Sequence, residues 1–278
     1  MTVDRPAIPD PMKREVRQRC GFGCVLCGIP LYHYDHMVDF AIVQEHTAEN
    51  LTLLCARHHD EKTRGLLSAD AIAAANADPC NVREGRSAGL LLHYASGMPM
   101  VLLGGNYITS PTGSFRAVVV DDIPIVAFRI EDERILLDMT LFDEMNFPCL
   151  VIRDNELALA ADLYDVELVG QVLTVRTDTR RILIEMRFSP PEYLELTRGQ
   201  LLCNGTSVDL RPDGVWFNGE RLINVRGNSL EAECGLAVGR RETVRSAAIV
   251  VKDLNRYRHL PATTPDADAI PPASGASE

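Results

Sequence analysis

Apolar and polar positions follow two different patterns along the chain. In the first 80 residues the apolar runs are short and interrupted. Residues 11–20, PMKREVRQRC, set Pro ahead of strong helix formers and predict a short basic helix running into the turn GFG. From Cys24 to Leu54 brief apolar stretches are broken by Gly28, Pro30 and polar loops. LTLLC at 51–55 predicts a strand, and ARHHDEKTRG after it a short helix ending at Gly65. Ser68 before ADAIAAANA signals the N-cap of a further helix, with Asp70 near the positive end of its dipole.

Beyond residue 115 the runs become β-branched and regular: FRAVVV, IPIVAFRI, RILLDMT, CLVIRD, VELVGQVLTVRT and RRILIEMRF, then SVDL, VWFNG, RLINV and AAIVV. Turn signals separate them, among them Asp121-Asp122, Asn204-Gly205, Pro212-Asp213-Gly214, Asn218-Gly219 and Gly227-Asn228. This rhythm predicts a mostly antiparallel all-β domain over 115–260, with a sandwich preferred and a barrel or solenoid-like stack left open. The Gly-, Ser- and Pro-rich stretch 91–114 reads as a connector that packs partly against the β domain. Residues 261–278 lack aromatic and nearly all large apolar residues and read as a disordered acidic tail.

Composition narrows the function classes. A chain of 278 residues, 46% hydrophobic and 24% charged, has room for about two domains. No apolar run approaches the ~18 residues of a membrane-spanning helix, and the N-terminus has no apolar core that could act as a secretory signal, so a cytoplasmic location away from membranes is expected. Twenty-eight Lys plus Arg against 39 Asp plus Glu leave −11, so any nucleic-acid contact must be local. Residues 1–90 hold ten basic against twelve acidic groups and the remainder 18 against 27, so the β part carries −9 of the −11.

Eight cysteines lie at 20, 24, 27, 55, 80, 149, 203 and 234, and five of the seven histidines fall between 33 and 59. In a reducing compartment, clustered cysteines read more naturally as metal ligands than as disulfides. Cys24 and Cys27 form a C-x2-C knuckle. Cys55 and His58 repeat the two-residue gap 27 residues on, and two such pairs suit tetrahedral zinc. Gly28 relieves crowding at the first pair. His59 competes with His58 for the fourth position, and His58 is preferred because its spacing matches the knuckle. Cys20 reads as a packing thiol. His33, His46, His93 and His259 have no motif support, and the basic side chains Lys13, Arg14, Arg17 and Arg19 suit helix solvation and phosphate contact equally.

The order CGFGCVLCG, YDHM, ENLTLLC and HHDEKT between Lys13 and about Ser68 resembles the HNH endonuclease family, whose nuclease unit is a ββα-metal fold. The resemblance covers about a fifth of the chain, and residues 115–278 resemble no family we can name. It implies an α+β chain whose first domain, residues 1–90, is a zinc-stabilised HNH unit. It also implies roles: His36 as general base, Asp35 and His59 as ligands of a catalytic Mg2+ or Mn2+, and Asn50 as a structural clamp on the strand that carries the base. Lys62, three residues after His59, would contact the phosphate or the leaving oxygen. Thr63 stands where some family members carry a further histidine ligand, which favours a two-ligand site. The chemistry suits the roles, since imidazole titrates near neutrality and hard oxygen ligands suit Mg2+.

The expected function is metal-dependent hydrolysis of phosphodiester bonds, in DNA more than in RNA, in a setting such as bacterial defence. The acidic β domain would serve homo-oligomer assembly, recognition of a protein partner or ligand, or restraint of the nuclease. A catalytically silent zinc module that binds nucleic acid or protein, with the β domain as the working part, is the alternative. A toxin-like nuclease is a third reading, disfavoured by the lack of a delivery segment.

Overall fold

The computed structural model describes residues 6–94, 100–160, 163–223, 227–239 and 247–256. The chain divides near residue 90 into two compact units.

In the first unit the elements are α1 (Asp10–Arg19), β1 (His33–His36), α2 (Phe40–Val43), β2 (Leu51–Leu54), α3 (Ala56–Thr63), α4 (Ala69–Ala77) and α5 (Cys80–Glu84). Met12 and Val16, with Cys20 just past the end of α1, recur at four-residue spacing and so face one side, toward a core of Cys24, Val25, Leu51, Leu53, Leu54 and Ile72. Strand β2 is buried along its whole length and pairs antiparallel with β1, His36 opposite Leu51 and His33 opposite Leu54. Helix α3 follows directly, giving a hairpin and a helix in the order ββα. Ser68 caps α4 by accepting the Ala71 N–H at 3.2 Å. The basic face expected of α1 is mostly used up inside the unit. Arg17 is only 3% exposed and donates to the Tyr34 hydroxyl, while the Arg19 guanidinium donates to the carbonyls of Ala48 (2.8 Å) and Leu51 (2.6 Å). These two side chains tie α1 to the hairpin.

The second unit consists of strands. Its first half holds β3 (Leu92–His93), β4 (Met100–Leu103), β5 (Asn106–Thr109), β6 (Ser114–Val120), β7 (Ile123–Glu131), β8 (Arg134–Phe142), β9 (Pro148–Arg153) and β10 (Glu156–Ala160). Its second half holds β11 (Asp165–Val169), β12 (Val172–Arg176), β13 (Ile182–Ser189), β14 (Tyr193–Cys203), β15 (Thr206–Arg211), β16 (Gly214–Phe217), β17 (Glu220–Ile223), β18 (Ser229–Glu231), β19 (Cys234–Gly239) and β20 (Ile249–Lys252). Among the described residues they form two open sheets. One runs β10-β9-β8-β7-β6-β19-β20 with β3 beside β8, and the other runs β11 to β17 in chain order with β4, β5 and β18 attached through β14.

Tight turns explain the meander. Asp121-Asp122, Asp132-Glu133 and Asp154-Asn155 have positive φ at both residues, as do Asn204-Gly205 and Asn218-Gly219, which is the backbone of two-residue hairpins. Because these turns reverse the chain, the strands they join are antiparallel, from β6 to β7 through β16 to β17, so the solenoid-like option is corrected. The barrel option falls as well, since neither sheet closes. Residues 91–114 do more than connect. Gly104-Gly105 turns β4 into β5, and β4 pairs parallel with β14, Val101 opposite Leu194, so these two strands belong to the β unit. Strand β14 serves β13 and β4 with its first half and β15 with its second. It changes partner at Gly199, where a Cβ would lie 2.3 Å from the Leu183 carbonyl oxygen. The tail read at 261–278 lies outside the described residues. No helix among the described residues is long and apolar enough to cross a membrane.

Candidate metal centre and active site

The Cys24 knuckle is a tight turn. The Gly28 N–H donates to the Cys24 carbonyl at 2.8 Å, and the Cys24 N–H to that of Ile29 at 3.0 Å. Gly28 has φ +74°, and a Cβ there would lie 2.1 Å from Asn81 Oδ1. The Val25 N–H donates to the Leu53 carbonyl at 3.0 Å, which fixes the knuckle to β2 and so to the second ligand pair at the start of α3. The ligand atoms of Cys24, Cys27, Cys55 and His58 all lie within 4.8 Å of one another. Cys27 Sγ is 3.8 Å from Cys55 Sγ, and His58 Nδ1 is 3.3 Å from the sulfurs of both Cys24 and Cys55. Sulfurs at ~2.3 Å from a tetrahedral ion stand about 3.8 Å apart, so this cluster can hold a metal ion and its donor set suits zinc. Burial pushes the Cys24 thiol up, and the Cys27 thiol up to about 12. The protein surroundings by themselves therefore disfavour thiolates at Cys24 and Cys27, and a bound dication would favour them. The other ring nitrogen of His58, Nε2, lies 3.9 Å from Glu61 Oε2. Cys20 is fully buried outside the cluster.

Side chains next to the cluster build a second group. Asp35 on β1 and His59 on α3 face each other, Oδ1 to Nε2, at 3.7 Å. His58 and His59 are consecutive on α3, about 100° apart around it, so one helix turn addresses both groups. Lys62 occupies the other carboxylate oxygen, with Nζ 2.6 Å from Asp35 Oδ2, and it also donates to the His36 carbonyl and lies 3.6 Å from Asp39 Oδ1. The His33 ring centroid lies 5.7 Å from that of His59.

Asn50 brackets Val38, two residues past His36. Its Oδ1 accepts the Val38 N–H at 2.7 Å, its Nδ2 donates to the Val38 carbonyl at 2.9 Å, and its own carbonyl accepts the Met37 N–H at 2.8 Å. The chain leaving β1 is held on both sides. His36 is 3% exposed, and its ring packs against Phe40 at 5.3 Å and His46 at 5.0 Å between centroids.

Two residues of this region had no sequence signal. His46 bonds to His36, Nδ1 to Nε2, at 3.0 Å, although nothing in its neighbourhood marked it. Asn81, on the short helix α5, fills the space against Gly23 and Gly28 that lack of a Cβ leaves open, and donates to the Gly21 carbonyl at 2.8 Å. The run GFGC-x2-CG hints that something must approach that closely, but not what. No protein-family model, curated protein or solved structure matches the chain.

Proposed function

We propose that this chain is a metal-dependent endonuclease of the HNH type that hydrolyses phosphodiester bonds, in DNA before RNA. The observation that carries the reading is the Asp35–His59 pair at 3.7 Å, one helical residue from a metal-binding cluster on the same hairpin and helix. The zinc cluster gives a small unit the folding energy its core lacks. A Mg2+ or Mn2+ ion held by Asp35 and His59 supplies charge neutralisation at the phosphate and the leaving oxygen when bound. His36 takes the proton of the attacking water, and Asn50 keeps the end of its strand in place. Lys62 holds the Asp35 carboxylate turned so that its other oxygen faces His59. The acidic β unit serves assembly, partner recognition or restraint, and a cytoplasmic defence enzyme is the setting that fits. Mg2+- or Mn2+-dependent nicking of supercoiled plasmid by the full chain tests the reading, and no nicking with either ion overturns it.

A second reading is favoured by two observations: Lys62 neutralises Asp35, and His36 is buried. Both suit a silent zinc module that binds nucleic acid or protein without cutting. Retention of plasmid DNA without any nicking would select it.

A further inference from the structure

His36 does not end in the core as an isolated ring. Strand β1 stops there, and α2 carries the chain away to Gln44, whose left-handed conformation (φ +54°) turns it back. This return lays His46 beside the ring, and His36, Phe40 and His46 form a three-ring cluster with centroids 4.9–5.3 Å apart. Within it His36 Nε2 and His46 Nδ1 are 3.0 Å apart, and His46 Nε2 lies 2.8 Å from the carbonyl oxygen of Pro6.

A carbonyl oxygen only accepts, so His46 must donate its Nε2–H to Pro6. A neutral His46 then has Nδ1 as acceptor, and the proton in the 3.0 Å bond must come from His36 Nε2. The accepting nitrogen of His36 is then Nδ1. With both rings neutral, no other proton arrangement satisfies both bonds.

We propose that His46 is the positioning residue for His36. Anchored on the Pro6 carbonyl, it fixes His36 as the Nε2–H tautomer, with no hydrogen on Nδ1. The role for His36 rests on the nuclease reading above, but the tautomer does not. It is the logic by which a ring nitrogen is assigned its task through the bond its partner makes. Phe40 supplies apolar packing to the same ring and no hydrogen bond.

The test uses full-length protein carrying 15N-labelled histidine, with tautomers read from the ring nitrogen resonances. Wild type should show His36 protonated on Nε2 and unprotonated on Nδ1. His46→Phe keeps a ring against Phe40 but removes the acceptor, so His36 should become a mixture of tautomers and nicking should fall about 10- to 100-fold, part of the ~10²–10⁴ a general base provides. His46→Asn places an amide oxygen near the former Nδ1 and should restore the single tautomer and most of the nicking. A wild-type His36 protonated on Nδ1, an unchanged tautomer in His46→Phe, or unchanged nicking despite a changed tautomer would each overturn the proposal. Absence of nicking by wild type beside the expected tautomers would overturn the nuclease reading instead.

Discussion

Lys62 and Asp35 are paired at 2.6 Å, and that pair divides the carboxylate: Oδ2 goes to the ammonium and Oδ1 toward His59. Both partners are largely shielded from water, so the attraction is less screened than in a surface pair. A lysine held there competes with any ion that binds the same carboxylate. Lys62→Met should therefore tighten Mn2+ binding several-fold while leaving zinc content unchanged. An electron spin resonance titration measures it, and weaker Mn2+ binding would show that the lysine prepares Asp35 for the metal more than it competes.

The two adjacent histidines separate the Cys3His cluster from the divalent-ion pair proposed above. His58→Ala should lose zinc and thermal stability. His59→Ala should keep zinc and lose divalent-ion affinity together with nicking. Metal analysis beside an activity assay reads both, and the reverse pattern would mean their roles are exchanged.

The knuckle turn depends on a residue without a Cβ. Gly28→Ala forces an unfavourable positive φ and drives a methyl group to 2.1 Å from Asn81 Oδ1. The φ penalty alone is about 1–2 kcal/mol, and the clash with Asn81 adds to it. The variant should lose zinc at lower chelator concentration than wild type. Equal resistance to chelation would show that α5 yields without cost to the knuckle.

Much of the metal centre was legible because its information is local. Cys-x2-Cys and Cys-x2-His fix ligand geometry within single turns, and the two pairs need only the β2 backbone to bring them together. The hairpins were legible for the same reason, through Asp-Asp and Asn-Gly turns. What stayed hidden depends on distant returns of the chain. His46 reaches His36 only through the left-handed turn at Gln44, and Asn81 reaches Gly28 across more than fifty residues. Arg17 and Arg19 read equally as solvated charges and as phosphate contacts, because composition does not reveal which carbonyls or hydroxyls a guanidinium will find. The parallel pairings of β4 with β14 and of β19 with β6 carry no turn signature at all.

In the β unit, Cys203 supplies a pH dependence with a definite sign. The thiol is 1% exposed, and burial, with the nearby Asp121 carboxylate, pushes it up from 9.0 to about 12. Its folded value lies above its unfolded value, so its contribution is fully present below pH 9 and is lost as pH rises toward 12. The loss amounts to at most ~4 kcal/mol. Urea denaturation of wild type and Cys203→Ala at about pH 8 and about pH 10.5, on either side of the unfolded thiol's titration, measures it: the stability difference between them should move in favour of the variant at the higher pH. A pH-independent difference would show that the thiol ionises as easily in the folded unit as in the unfolded chain.

The central claim is that Asp35, His36 and His59 perform metal-dependent phosphodiester hydrolysis, and one comparison tests it most directly. Zinc-loaded wild type and His36→Ala are incubated with supercoiled plasmid and Mn2+ or Mg2+, and initial nicking rates are measured beside zinc content and melting temperature. His36→Ala should nick ~10²- to 10⁴-fold more slowly with zinc content unchanged and the fold intact. Equal nicking by the two proteins, or none by the zinc-loaded wild type, would contradict the claim.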